Sequence, residues 1–411
     1  MIQTRTYSGP ARHSAGRGAT FLALLSLSFG ACGEEPSPAP PPTDGSAVVV
    51  ENPALPPDSL VGWRIGSEPA LSIGVAGGGP DDQLFRVRDA TVLPDGRIAI
   101  ANAGSGEVRI YGPDGGHRVS MGGPGEGPGE FRALEAVERW AGDSLLAWDA
   151  RQRRISVFSA EGAHGRTFRL REFDDTHSPQ FLGITPDGRL LVRSGFPQRG
   201  DEPYEGMFRP LHSYALLDAS GEFSADLGEH PGAEGYLIAG SGFETFSEHP
   251  HAKSTVSTVW GNEILISPND DFTLRAFAPD GSPTRTIHLD HPAPRPTRRD
   301  MEAWFEAFTA DDTPEERAAF RRSFEELPLL ESFPAFLPFE VDALDHVWVR
   351  EFTSSPEGAT SWIVFDPAGR ALGRIETPPG LEVYEIGADY LLGRTRDALG
   401  VESIRLWPLS R

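Results

Sequence analysis

A repeated pattern in the sequence predicts an all-β fold, a six-bladed β-propeller. Six segments share an apolar alternating run, a tight turn of the Asp-Gly kind, a second run, a polar connection and a third run. Alternation with period two and turns of this kind are typical of antiparallel strands joined as hairpins. Repeated small sheets of such strands are typical of propellers. The six segments are residues 91–115, 137–162, 184–221, 258–281, 341–369 and 386–410.

Chain length supports a repeat architecture. Residues 61–411 form a longer stretch than a single hydrophobic core usually supports, so the chain needs either a repeat fold or two domains. A helical solenoid would need apolar residues with a period of about 3.6, which these runs lack. Two stacked β-sandwiches remain the alternative.

A glycine-rich stretch marks the blade boundaries. The stretch "MGGPGEGPGEF", residues 121–131, has an echo of equal length in "VAGGGPDDQLF", residues 75–85, and both end in Phe. With the strand-like runs that follow it, the first stretch resembles an NHL-type repeat. The resemblance implies a propeller of six blades in which the strand after the glycine-rich loop is innermost. It implies no activity, because propellers serve as binding modules and as hydrolases.

The two ends of the repeat region complement each other. If each glycine-rich loop follows the outer strand of a blade, residues 70–75 are predicted to be an outer strand with no inner strands before it, and the last predicted unit ends after its third strand, residues 402–409. We expect residues 70–75 to complete the last blade and close the ring, which leaves no unpaired inner edge.

The N-terminus predicts export and a lipid anchor. Residues 1–31 carry three arginines, no acid and a short apolar run, which is typical of a signal peptide. The run leads into "LSFGAC", which resembles a bacterial lipobox with Cys32 as the lipidated residue; an ordinary cleaved signal is the alternative. Residues 32–60 are Pro-rich and predict a solvated tether. We therefore expect a protein anchored on the extracytoplasmic side of a bacterial envelope, in the periplasm or outer membrane.

Long insertions fall on one predicted face of the propeller. The connections from second to third strand and from outer strand to the next inner strand share a face, and they include residues 195–211, 228–253 and 288–338. The last insertion predicts a helical hairpin at about residues 295–330, because apolar residues recur at helical spacing and Thr313, Pro314 and Glu316 form a helix-start signal. Long loops on a rigid scaffold are where function concentrates.

Catalytic motifs are largely missing from the sequence. The glycine-rich stretch lacks the third glycine of a dinucleotide loop and the Lys of a Walker loop, and Glu126 and Glu130 would repel a phosphate. Serine-hydrolase and zincin signatures are absent. A net charge of -23 disfavours nucleic acid as a partner.

Candidate site residues come from the insertions and the inner strands. His249 and His251, with His230 and an acid such as Glu234, Glu244 or Glu248, could ligate a metal, but solvated loop histidines are the commoner case. Six-bladed lactonases hold calcium with converging oxygen ligands. In this sequence, the polar residues on or near the predicted inner strands are not of one ligand type from blade to blade. The binding-face candidates are Arg88, Asp89, Gln180, Tyr204, His249, His251, Trp304, Phe308 and Glu340, and Glu135 and Asp342 are further inner-strand positions.

These observations predict a binding or scaffolding module that uses its insertion-rich face and needs no cofactor or metal. The partner is a protein, a glycan or a small ligand, with membrane contact through the anchor alone. The alternative is a calcium-dependent hydrolase with its site at the channel mouth, and a third is a structural subunit of an envelope complex.

Overall fold

The computed structural model describes residues 47–75, 77–173, 179–194, 206–240, 243–310, 312–325, 327–353 and 358–411. Six antiparallel sheets follow one another along the chain as blades 1 to 6. The first strand of each blade contacts the first strand of the next, and that of blade 6 contacts that of blade 1, which closes the ring. The predicted six-bladed propeller is confirmed. Cys32, the candidate lipidation site, lies outside the described residues.

Each of blades 1 to 3 has four strands in the order inner to outer. Blade 1 consists of Val87–Val92, Ile98–Asn102, Glu107–Tyr111 and His117–Gly122. Blade 2 consists of Leu134–Trp140, Ser144–Asp149, Arg154–Ser159 and His164–Arg169. Blade 3 consists of Pro179–Ile184, Leu190–Ser194, Leu211–Leu217 and Phe223–Pro231.

Blades 4 and 6 also take strands from the N-terminal region, and blade 5 does not. Blade 4 consists of Thr255–Trp260, Glu263–Pro268, Thr273–Phe277 and Pro283–Leu289, with Val48–Asn52 added in parallel at its outer edge. Blade 5 consists of Phe336–Val341, Val347–Glu351, Thr360–Phe365 and Ala371–Thr377. Blade 6 consists of Glu382–Ile386, Tyr390–Arg396 and Glu402–Ser410, and both Arg64–Ile65 and Leu71–Ile73 pair antiparallel to its third strand.

Residues 47–75 therefore form a strap along the outer edges of three blades. The strap pairs with blade 4 through Val48–Asn52, meets blade 5 where Leu60 bridges Arg374, and ends on blade 6 as Leu71–Ile73. The later part of the predicted tether, from residue 48 to residue 60, thus belongs to the fold.

The hydrophobic core is divided among the blade interfaces. Six clusters of buried side chains each join two neighbouring blades, and they go round the whole ring. Phe131, at the end of the glycine-rich stretch, packs between blades 1 and 2 beside Phe158. The second strand of blade 1, Ile98–Asn102, is buried along its whole length because neighbouring blades cover both faces of the sheet.

Three further elements lie outside the blades. A short 3-10 turn, Pro80–Asp82, precedes blade 1. A three-stranded sheet is formed by Gly206–Phe208, Gly235–Gly240 and Phe243–Glu248, all from insertions around blade 3. Two helices, Arg298–Phe308 and Pro314–Glu325, connect blade 4 to blade 5. No helix in the described part of the chain is long and apolar enough to cross a membrane.

Candidate functional site

The two faces of the propeller differ in the length of their connections. On one face, the first strand joins the second and the third joins the fourth through tight turns such as residues 112–116. On the other, which we call the insertion face, residues 195–210, 232–254 and 290–335 connect strands of blades 3, 4 and 5. The extra length of the chain is thus concentrated on the insertion face.

The small sheet and the two helices meet on the insertion face, and together we call them the cap. The helices share an apolar cluster of Met301, Phe305, Phe324 and Leu327, and Tyr236 of the small sheet packs against it. Both helices start at capping boxes: Thr297 pairs with Asp300, and Thr313 pairs with Glu316. The cap therefore has a core of its own, separate from the blade interfaces.

His249 joins the small sheet to the helices. Its buried ring lies between two carbonyl oxygens, with Nε2 at 2.7 Å from the Pro328 oxygen and Nδ1 at 2.7 Å from the Pro250 oxygen. Each neutral tautomer of the ring can donate to one of these two carbonyls. Pro328 follows the second helix, so the histidine fixes the end of the helical hairpin.

His251 serves packing as well. Its ring stands edge-on to Phe333 and Phe352, with centroids at 5.2 and 5.5 Å, and its backbone has a φ of 58°. Burial lowers the pKa of His251, and the nearby charges of Asp300 and His249 act in opposite directions on it. Of these two insertion histidines, His249 is buried in the cap, and His251 is partly buried against Phe333 and Phe352.

Two aromatic rings form an exposed edge of the cap. Trp304 and Phe308 stack with centroids 4.6 Å apart and an interplanar angle of 12°. Phe308 is 57% exposed, and Phe320 of the second helix supports it from 5.3 Å. Tyr204, another binding-face candidate, lies outside the described residues.

The candidates at the channel mouth bind one another or the backbone. Arg88 and Glu135, on the inner strands of blades 1 and 2, are 3.6 Å apart between Nε and Oε2. Asp89 accepts the Val137 backbone N–H at 3.0 Å and so links the same two strands. Gln180 accepts a hydrogen bond from Arg193 Nε at 3.0 Å. Arg88, Asp89 and Glu135 thus join the inner strands of blades 1 and 2, and Gln180 joins the inner and second strands of blade 3.

Glu340 and Asp342 lie towards the other end of the channel. Their inner strand, Phe336–Val341, starts at the insertion face, so they come near the opposite one. Burial raises the pKa of Asp342, but hydrogen bonds from Trp348, His346 and Arg411 outweigh it and the pKa is lowered. Asp342 is therefore an ionised anchor of a tight turn, and Glu340 does not belong to the insertion face.

The described residues contain no group of three or more His, Cys, Asp or Glu side chains that could hold a metal ion. His230, the third histidine of the predicted cluster, lies on the outer strand of blade 3 edge-on to Tyr214 and Phe277. Of the acids considered with it, the side chains of Glu244 and Glu248 lie outside the described part. Glu234 accepts the Lys253 backbone N–H at 3.0 Å.

Comparison with known proteins gives similarity to other propellers. No protein-family profile and no curated protein sequence matches the chain. A putative exported protein of Bacteroides fragilis shares 11% identity at a TM-score of 0.49, over 88% of this chain and 99% of that one. Virginiamycin B lyase from Staphylococcus aureus shares 11% at 0.40, over 85% and 99%. The calcium-binding protein regucalcin from Agrobacterium tumefaciens shares 12% at 0.40, over 89% and 98%. No statement about activity follows from likeness at this level.

Sequence reasoning missed the buried charges that join blades 6 and 1. Glu402 is buried and accepts the Val87 backbone N–H at 2.7 Å, and Arg394 donates to the Val87 carbonyl at 2.7 Å and to Glu402 at 3.0 Å. Arg394 also pairs with Glu382. Val87 is more than 300 residues from both Glu402 and Arg394 in sequence, so no local pattern indicates these contacts.

Proposed function

We propose that this protein is an exported, lipid-anchored β-propeller that binds a partner through its insertion face. The observation that carries the proposal is the cap: the long insertions of blades 3 and 4 assemble there around Met301, Phe305 and Phe324, while the opposite face has tight turns. A rigid scaffold that presents an ordered structure on one face is a common arrangement for recognition.

The exposed edge of the cap is the part of this surface best suited to contact a partner. Trp304 and Phe308 offer a flat apolar area beside the salt-bridged arginines of the second helix, such as Arg321 with Glu302 at 2.7 Å. Aromatic anchors surrounded by polar residues are typical of binding interfaces. A protein, a glycan or a small ligand with an apolar surface fits this edge.

The calcium-dependent hydrolase stays the second candidate, and the channel gives it little support. Calcium takes about six to eight oxygen ligands that converge on one point, whereas the acids at this mouth are engaged in joining strands. Both oxygens of Asp89 accept backbone N–H groups, from Ala90 at 2.9 Å and from Val137 at 3.0 Å. Glu135 at the same mouth faces Arg88.

The binding proposal is tested by two matched substitutions. Phe308→Ser removes the exposed ring from the cap, and Phe223→Ser removes a ring of similar exposure, 54%, from the start of a strand at the opposite face. We expect Phe308→Ser to reduce recovery of a cross-linked partner from intact envelopes, and Phe223→Ser to leave it unchanged. Equal recovery with both variants, or no partner with the wild type, would contradict the proposal.

The anchor proposal has an independent test. Cys32 precedes a Pro-rich stretch, and the fold begins with Val48–Asn52 on the rim of blade 4. We expect Cys32→Ala to move the protein from the membrane fraction to the soluble extracytoplasmic fraction, because a lipid chain is what holds it. Retention of the variant in washed membranes would refute lipid anchoring and leave the binding proposal intact.

A further inference from the structure

The first strand of the strap leaves one edge of blade 4 free. Val48–Asn52 pairs along its whole length with Pro283–Leu289 and ends the five-stranded sheet of this blade. In the described part of the chain, no strand pairs with its other side. Backbone N–H and C=O groups along a strand point to both of its sides, so the groups on the outer side have no partner in the sheet. This edge can therefore take up one more strand.

The side chains of this edge differ from those on other blades. The strand starts with three valines, of which Val48 and Val49 are 63% and 58% exposed, and its one charged residue, Glu51, lies towards its end. Charged side chains on an outermost strand commonly protect it against pairing with another chain. The outermost strands of blades 1 to 3 carry such residues, which include Arg118, Arg166 and Asp226. The edge of blade 4 instead exposes apolar, β-branched side chains beside unpaired backbone groups.

The order of residues in the strand fits a second copy of itself. In an antiparallel pair with a two-fold axis at Val49, this residue lies opposite its own copy, and Val48 lies opposite Val50. Every valine then has a valine partner, which is a favourable cross-strand pair. Glu51 lies opposite Ala47, so the two carboxylates are not opposed. An axis at Val50 would instead place Glu51 opposite Val49, so the sequence of the strand selects the first register.

Contacts within the chain hold this strand in place before it pairs. Val50 packs against the buried cluster between blades 4 and 5, and Asn52 bonds to the Gly369 carbonyl and the Ala371 N–H of blade 5. A segment that is already ordered loses little conformational entropy on association. The edge is therefore a preformed surface for an incoming strand.

We propose that two copies of this chain associate through Val48–Asn52, blade 4 against blade 4, with the two strands antiparallel about Val49. The two five-stranded sheets then continue into each other. A standard stable interface has about 20 to 30 residues on each side, so this pairing of five residues gives a weak dimer that depends on concentration. The proposed anchor would favour the dimer by confining both copies to one membrane, but the pairing depends neither on the anchor nor on the insertion face.

The test uses the purified chain with Cys32→Ala, so that an introduced cysteine is its only thiol. Directly opposite residues of an antiparallel pair have Cα atoms about 4.5 to 5.5 Å apart, which a disulfide can bridge. We therefore expect Val49→Cys to form a covalent dimer under mild oxidation. Val48→Cys is similarly exposed but lies opposite Val50, so it should cross-link about tenfold more slowly. Ser120→Cys, at an exposed position on the outer strand of blade 1, measures random collision and should be as slow.

Sedimentation equilibrium gives a second measurement, in moderate salt that screens the repulsion between two chains of net charge -23. The Cys32→Ala parent should dimerise as its concentration rises, and Ser120→Lys should behave as the parent does. Val49→Lys should stay monomeric, because two ammonium groups would meet at the axis. Circular dichroism shows which variants fold; if Val49→Lys does not, cross-linking decides.

Three results would overturn the proposal: a parent that stays monomeric up to its solubility limit, equal cross-linking at the three cysteine positions, or a folded Val49→Lys variant that still dimerises. In oxidised intact cells, a disulfide from Val49→Cys to a different protein, with none to a second copy, would also overturn it.

Discussion

Asn52 of the strap donates a hydrogen bond from Nδ2 to the Gly369 carbonyl of blade 5 at 3.0 Å. Its Oδ1 accepts from the Ala371 N–H at 2.8 Å, and Nδ2 also donates to the His288 carbonyl of blade 4 at 3.1 Å. One buried amide therefore links the strap to two blades, although Asn52 and Gly369 are separated by 317 residues.

Replacing this amide should destabilise the whole propeller. Asn52→Ala leaves the buried Gly369 carbonyl and the part-buried Ala371 N–H without their partner, so we expect a loss of about 2 to 3 kcal/mol in the free energy of unfolding, measured with urea. Asn262→Ala, at an exposed hairpin turn of blade 4, is the control and should change it little. Equal stability of the Asn52→Ala variant and the wild type would show that the strap is not held through this residue.

The last strand of the strap should matter for ring closure. Ile73 is buried between blades 6 and 1, where Leu84 and Ile404 belong to the same cluster. Ile73→Ala should cost about 2 to 4 kcal/mol in unfolding free energy, because it opens a cavity at the closing interface. Val49→Ala, at an exposed strap position, should cost well under about 1 kcal/mol. Equal effects of the two variants would argue against a closing role for Leu71–Ile73.

The repeat architecture could be predicted because its signals are local. Strand alternation and Asp-Gly turns lie within a few residues of one another, so the six units are visible in the sequence alone. The two glycine-rich stretches do not correspond residue by residue at their ends. Phe131 is 2% exposed but Phe85 is 64% exposed, and the buried residue at the end of the stretch 75–85 is Leu84. Aligning the two stretches on their final Phe residues could not reveal this difference in burial, because burial depends on the packing of the neighbouring blade.

The first strand of the strap and the small sheet could not be predicted for a different reason. Val48–Asn52 pairs with Pro283–Leu289, and Gly206–Phe208 pairs with Gly235–Leu237, so both pairings join distant parts of the chain. The candidate site shows the same limit. Arg88 and Glu135 were recognised as polar inner-strand residues, but their pairing depends on the packing of two blades.

Arg154 holds the glycine-rich loop in place, and shortening its reach should loosen that loop. Its guanidinium donates to the carbonyls of Glu126, Gly127 and Glu130 at 2.8, 2.6 and 2.5 Å. Lysine cannot span three acceptors with a rigid fork, so Arg154→Lys should cost about 1 to 3 kcal/mol in unfolding free energy.

The neighbouring Arg153→Lys is the matched control, since the side chain of Arg153 is 49% exposed beside Glu172. Amide hydrogen exchange of residues 123–130 should rise in Arg154→Lys and stay unchanged in Arg153→Lys. If both variants exchange alike, the arginine contacts do not restrain the loop.

Mild acid should destabilise the fold through two partly buried histidines, His230 and His251. Burial lowers the pKa of His230 and His251 below the usual 6.5, so the unfolded chain takes up these protons at higher pH than the folded one. The stability that the two neutral rings contribute is therefore fully present above about pH 6.5 and falls as the pH drops through the lowered pKa values.

Urea unfolding should show a smaller loss of unfolding free energy between about pH 7.5 and 5.5 for the double variant His230→Gln/His251→Gln than for the wild type. High salt should leave this difference in place, because it screens the repulsion that arises from the net charge of -23 but not the desolvation of the rings. The same pH dependence in both proteins would mean that other groups titrate.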